Sequence, residues 1–165
     1  MTDTAKNAAA RLFDLIPPAM PLEVLEQYGL NVTIPQAQTI TKEILTLSAY
    51  WVRCALQAGM PEQFGNTIWQ CMNEYIQQHW ESKFGLEMES LEKFLGEIDQ
   101  RHGDWDELTR RGAEPITVLS QAAMDLDEKS LVPQGHQQSL VALFLDFVPL
   151  DEIGAIAEAI EEGMC

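Results

Sequence analysis

Between Gln36 and Ala58 the chain carries apolar residues along two edges at once, and few folds can use such a segment. Ile40, Ile44, Leu47, Trp51, Cys54, Ala55 and Ala58 fall within about 60° of one line at the helical period, while Lys42, Thr46, Arg53 and Gln57 fall opposite. Leu45, Val52 and Leu56 form a second apolar edge. A helix covered on two sides belongs at the centre of a fold rather than on its surface. Gly59 and Pro61 mark a tight reversal after it. A following helix is predicted to run to Gly85 with Phe64, Ile68, Met72, Tyr75 and Ile76 on one side. Residues 36–84 therefore read as an antiparallel helical hairpin. Gly65 falls on the apolar side of the second helix, where a missing side chain permits close backbone approach.

Proline and glycine punctuate the rest of the chain. Asp3 is placed to cap a first helix that ends near Ile16, because Pro17-Pro18 removes a donor and clashes with the preceding turn. Pro21 opens a short helix over 22–28, Gly29 can close it in the left-handed conformation, and 31–35 reads as an extended connector. A helix over 87–102 carries Met88, Leu91, Phe94, Leu95 and Ile98 inward, with Gly103 as its stop. Asp104 then caps a short helix through 111, and Gly112 with Pro115 separates it from another over 115–126. The longest predicted loop covers 127–136 and is the best candidate for mobility. Residues 137–148 are apolar nearly all round and bounded by Gly135 and Pro149, which favours a buried helix; 150–162 forms the last, with Ile153, Ile156, Ala157 and Ile160 inward. The expected architecture is all-α: one domain over 1–165, an irregular bundle of about seven or eight helices around the central hairpin. There is no convincing internal repeat.

A chain of 165 residues can bury roughly 70% of the surface it exposes when unfolded, so one core needs no disulfide or metal staple. The longest unbroken apolar stretch, 140–145, is far below the roughly 20 residues that a membrane-spanning helix requires. The first residues are polar and lack the continuous apolar block of a secretory signal. The three cysteines include no Cys-x-x-Cys pair, which suits a reducing compartment. Cys54 and Cys71 read as core thiols, and Cys165 as an exposed last residue open to adventitious disulfide formation. A cytoplasmic location is expected.

The formal charge is −16, and the second half of the sequence holds most of it: after Lys129 there are six carboxylates and no Lys or Arg. Such a field repels nucleic acid and anionic lipid, because phosphate binding depends on cations that displace counterions. Direct nucleic-acid binding and membrane association are therefore not expected, and a protein partner with a basic surface is. Glu87, Glu89 and Glu92 are the candidate acidic contact face. A special case is an acidic mimic of nucleic acid that blocks a DNA-binding protein.

Residues at spacings diagnostic of a particular chemistry are scarce. No Glu-x-x-His, His-Glu-x-x-His, phosphate loop, dinucleotide fingerprint or Gly-x-Ser-x-Gly turn occurs, so no cofactor, metal site or catalytic set is implied. His79 falls near the centre of an apolar stripe one turn beyond Tyr75. With Cys71 and Trp80 it marks a possible ligand pocket, or a core histidine satisfied by one hydrogen bond. His102, next to Gly103, reads as an imidazolium at a helix C-terminus, and His136 as a solvated or helix-starting residue. Trp51 reads as core, Trp69 and Trp80 as helix-shoulder aromatics that seal a neighbour or anchor an interface, and Trp105 as a clamp at a helix corner. The expected role is a non-enzymatic interaction protein: an adaptor, assembly factor or inhibitor. The alternative is a ligand-binding or enzymatic protein with a pocket near Tyr75 and His79. The apolar segments within 137–162 offer a seam for self-association.

Overall fold

The longest helix begins at Ile34, earlier than the apolar pattern predicts, because Thr33 and Gln36 cap each other. Thr33 Oγ1 accepts from the Gln36 amide and Gln36 Oε1 accepts from the Thr33 amide, while Pro35 occupies the first turn, where its missing N–H matters least. In the computed structural model, which describes residues 2–163, the helices are α1 (Thr2–Leu15), α2 (Leu22–Gln27), α3 (Ile34–Gly59), α4 (Glu62–Gln78), α5 (Leu91–Arg110), α6 (Pro115–Glu128), α7 (Gln137–Phe147) and α8 (Leu150–Glu162). The fold is an all-α bundle, with no strand among the described residues. Cys165 lies outside them.

Most of each apolar edge of α3 is buried in its own core, although Cys54 and Ala55 are half-buried and Ala58, predicted on the buried stripe, is exposed. Leu45, Ala49, Val52 and Leu56 join α1, α4, α8 and the first half of α5, where Ala5, Ala8 and Ala9 let α1 lie close to α4. Ile40, Ile44, Leu47 and Tyr50 join α2, α6, α7 and Trp105. Trp51 is half-buried and packs against both sets. Each fully buried Leu or Ile contributes roughly 1.5–3 kcal/mol over exposure, so α3 carries a large share of the stability. Gly65 is buried against Leu56 near the reversal, which joins α3 to α4 as the hairpin requires. The most extensive packing of α4 is nonetheless with α1, and that of α3 with α8.

Several predicted boundaries move, for identifiable reasons. Helix α1 starts at Thr2, so Asp3 lies in its first turn rather than capping it. Helix α4 ends at Gln78 rather than near Gly85: the chain turns at His79, which brings Trp80, Phe84 and Leu86 into the first core, and the Ala19 amide donates to the Lys83 carbonyl at 3.1 Å. The next helix starts at Leu91, capped by Ser90, whose Oγ accepts from the Lys93 amide. Met88 precedes it and is 60% exposed, not inward as predicted. Gly103 does not stop that helix. His102 and Trp105, three residues apart, both face inward, and the continuous α5 buries both at the cost of about 1 kcal/mol for a mid-helix glycine. Trp105 is thus a core residue of one long helix rather than the clamp of a corner.

The loop after α6 is shorter than predicted and is tied down by Asp127. Its carboxylate accepts from the Gly135 amide at 3.0 Å and from Gln137 Nε2 at 2.9 Å, while Val132 is buried. Gly29 closes α2 at φ +78°, the left-handed conformation expected of it. Helix α7 places Leu140, Leu143 and Phe144 in the second core, leaving Leu145 47% exposed. No helix among the described residues is long and apolar enough to cross a membrane.

Candidate binding groove

The polar side of α3 faces other protein over much of its length. Thr46, predicted to lie on the open side, is buried, as are Thr41 and Glu43. Arg101 of α5 donates from Nη1 to Glu43 Oε2 at 2.7 Å and from Nη2 to Oε1, a two-pronged pair in which Glu43 is only 2% exposed. Burial works against the Arg101 charge, but the hydrogen bonds and field of Glu43 outweigh it and hold the proton more tightly. Thr41 Oγ1 accepts from the Met20 amide, and Gln38 bridges Glu87 Oε1 and the Met88 amide. Glu89 accepts from Thr39 Oγ1 at 3.0 Å and Lys42 Nζ at 2.9 Å. Four of the ten Lys and Arg residues, Lys42, Lys93, Arg101 and Lys129, line a small cavity of about 230 Å³ between α3, α5 and α6, alternating with Glu43, Glu97 and Asp125.

His102 lies at the end of this seam. It is 1% exposed, and its ring centroid stands 5.3 Å from Tyr50, 6.0 Å from Trp69 and 5.9 Å from Trp105. Burial, and then the charge of Arg53, push its pKa down to about 3, so the ring is neutral. Nε2 lies 3.1 Å from the Thr46 carbonyl oxygen and donates to it; Nδ1 is then a bare acceptor, buried and without a hydrogen-bond partner among the described residues. The predicted imidazolium at a helix terminus is corrected on both counts: the residue is uncharged, and the helix continues past it.

Beside His102 a groove of about 600 Å³ opens between α3, α4 and α5. Helix α5 packs most extensively on α6, which leaves its contact with α3 and α4 open along the groove. Arg53 spans the groove floor, with its guanidinium carbon 4.1 Å from the Trp69 ring centroid and Nη2 2.8 Å from Asp99 Oδ1. Glu62, Asp106 and Gly103 complete the lining that matters chemically. Asp106 Oδ1 also accepts from Tyr50 Oη at 3.0 Å, and burial raises the pKa of both Tyr50 and Cys54, leaving neither group predisposed to act as a nucleophile or base at neutral pH. A Cβ added at Gly103 would meet nothing within 4 Å, and the same holds at Gly96, two turns earlier. The lining therefore offers three carboxylates against one guanidinium that is stacked on an indole, a net negative set that favours a cationic group.

The four residues of the predicted pocket do not converge on one cavity wall. Cys71 is buried in the first core. Tyr75 and His79 lie 5.7 Å and 5.4 Å from the Phe13 ring, and Tyr75 Oη donates to the Lys6 carbonyl at 3.3 Å. His79 is exposed rather than stripe-centred, because α4 ends one residue before it, and its Nδ1 is 3.1 Å from Ser82 Oγ. Trp80 packs instead on Phe94 of α5 and donates from Nε1 to the Glu89 carbonyl. In the predicted acidic face, Glu87 and Glu89 are bonded to α3, while Glu92 is exposed in the first turn of α5. In the sequence the groove residues belong to unrelated patterns: Arg53 lies opposite the buried stripe of α3, Trp69 on a helix shoulder and Gly103 at an apparent helix stop. One signal marks the α5 part of the lining, Asp99, Gly103 and Asp106: Gly96-Glu-Ile-Asp99 and Gly103-Asp-Trp-Asp106 repeat a Gly-x-x-Asp pattern seven residues apart, two turns along one helix face.

Among the described residues, no group of three or more His, Cys, Asp or Glu side chains is arranged to hold a metal ion. The chain matches no protein-family model, no curated protein and no solved structure.

Proposed function

We propose that this chain is a non-enzymatic interaction protein whose acidic surface meets a basic protein partner, as an adaptor, assembly factor or inhibitor. One observation carries the reading: every charged residue described after Lys129, namely Asp146, Asp151, Glu152, Glu158, Glu161 and Glu162, is an exposed carboxylate. Four of the ten Lys and Arg residues line the cavity between α3, α5 and α6, where Lys42 and Arg101 pair with Glu89 and Glu43. A one-signed helix of this kind accelerates encounter with a cationic surface and does so less as salt rises. Because the acids of α8 lie on a helix whose inner face is Ile153, Ala157 and Ile160, they can be neutralised without touching the core.

The test is a titration with a synthetic lysine-rich peptide across a range of ionic strength. The expected result is affinity that falls steeply with salt, and a shallower slope when Glu152, Glu158 and Glu162 are changed together to Gln. Association that ignores salt, or that is unchanged in the triple variant, overturns the reading. Blocking a DNA-binding protein by nucleic-acid mimicry is one form this function can take. Self-association through residues 137–162 has less to work with, since Leu140, Leu143 and Phe144 of α7 and Ile153, Ala157 and Ile160 of α8 are already buried in the two cores, leaving Leu145 exposed.

A further inference from the structure

We infer that the groove between α3, α4 and α5 is the seat for an arginine or lysine side chain of that basic partner, reached by a polypeptide segment lying along the Gly96–Gly103 face of α5. The inference rests on the reading above and gives it an address.

The groove already holds one guanidinium. Arg53 stacks on the Trp69 indole and pairs with Asp99, which uses one face of the ring and one carboxylate of three. Asp99 is 82% exposed and so keeps acceptor capacity towards solvent, while Glu62 and Asp106 stand on the same lining with no second guanidinium among the residues that form it. An incoming cation therefore meets a net negative lining, with Glu62, Asp106 and the solvent side of Asp99 as its acceptors beside the Arg53-covered indole, which favours guanidinium and ammonium groups over neutral ones. Shape agrees with charge. At Gly96 and Gly103 the outer face of α5 has no side chains, and a Cβ at either site would project into open space, so a partner backbone can approach the helix closely.

The approach path is charged in the same sense. Helix α8 lays the Glu161 carboxylate over Gly59, one residue from the Met60 that lines the groove and three from Glu62. Glu161 near the end of α8 thus stands beside the groove, while the other exposed acids of that helix add long-range attraction to the short-range selection of the groove. Beneath the wall, the buried His102 ring lies 6.0 Å from Trp69 in a tilted arrangement and stacks on Trp105 at 5.9 Å.

The probe is a short oligo-arginine peptide titrated into the intact protein, followed by the NMR signal of the Trp69 indole N–H. The informative variant is Gly103→Leu, which fills the groove from open space and removes a mid-helix glycine, so its melting temperature is expected to hold or rise. Wild type should bind with a shift at Trp69, and Gly103→Leu should weaken binding by about tenfold, equivalent to about 1.4 kcal/mol. Gly103→Ala provides a milder version should the larger side chain disturb folding, and Asp99→Asn should weaken binding without changing the fold. If the peptide binds but Trp69 is silent and Gly103→Leu binds like wild type, the groove is not the seat while the general reading stands. If wild type fails to bind the peptide even at low salt, both fall.

Discussion

The turn at 87–89 and helix α8 both read as acidic in the sequence, yet they do opposite things. Glu87 and Glu89 reach back to Gln38, Thr39 and Lys42 and fasten the entry of α5 to α3. Asp151, Glu152, Glu158 and Glu162 of α8 are exposed, because the helix settles on α3 and α1 through the aliphatic face of Ile153, Ala157 and Ile160. Local acidity thus says little about purpose. What decides it is whether the fold brings a donor from a distant segment, roughly 50 residues away for the first group.

The sharpest way to break this contrast is Glu43→Ala. Removing the buried partner of a part-buried guanidinium is expected to lower stability by about 1.5–3 kcal/mol in chemical denaturation, whereas Glu43→Leu with Arg101→Met should recover most of the loss. A loss below about 1 kcal/mol would mean that the seam carboxylates are no more structural than those of α8.

His102 extends the same contrast to pH. Its folded pKa of about 3 lies below the ordinary 6.5. Between those values the unfolded chain binds a proton that the folded one excludes, so stability falls as pH is lowered through that window and this contribution is flat above it. His102→Gln should reduce the pH slope of stability over the window by up to one proton, measured against wild type in the same buffers. An unchanged slope would show that the ring titrates normally.

A smaller effect separates the two acidic regions directly. Glu89→Gln is expected to lose about 1 kcal/mol through its part-buried bonds to Thr39 and Lys42, with little change in affinity for a basic peptide. Neutralising Glu152, Glu158 and Glu162 should do the reverse, moving stability by no more than about 0.5 kcal/mol. Equal stability changes in the two variants would erase the distinction.

The central position of α3 was legible because both of its apolar edges are written in one continuous segment, and each edge found its own core. Helix starts marked by proline and ends marked by Gly29 were legible for the same local reason. The misplaced features depend on distant partners. Gly103 resembles a terminator until His102 and Trp105 are seen to need one helix, and His79 resembles a core residue until Trp80 and Phe84 pull the chain out of α4. Arg53 resembles a solvated residue until Trp69 and Asp99 arrive from two other helices. Of the groove, only the repeated Gly-x-x-Asp spacing was open to a reader of the sequence.

A rod that walls two oily compartments links their fates. Solvent admitted to one side strips packing from residues whose neighbours on the same backbone hold the other, so neither compartment can melt alone. The amides in the middle of α3 should then trade hydrogen for deuterium only when the whole molecule opens, and heat should undo the chain in one step rather than two.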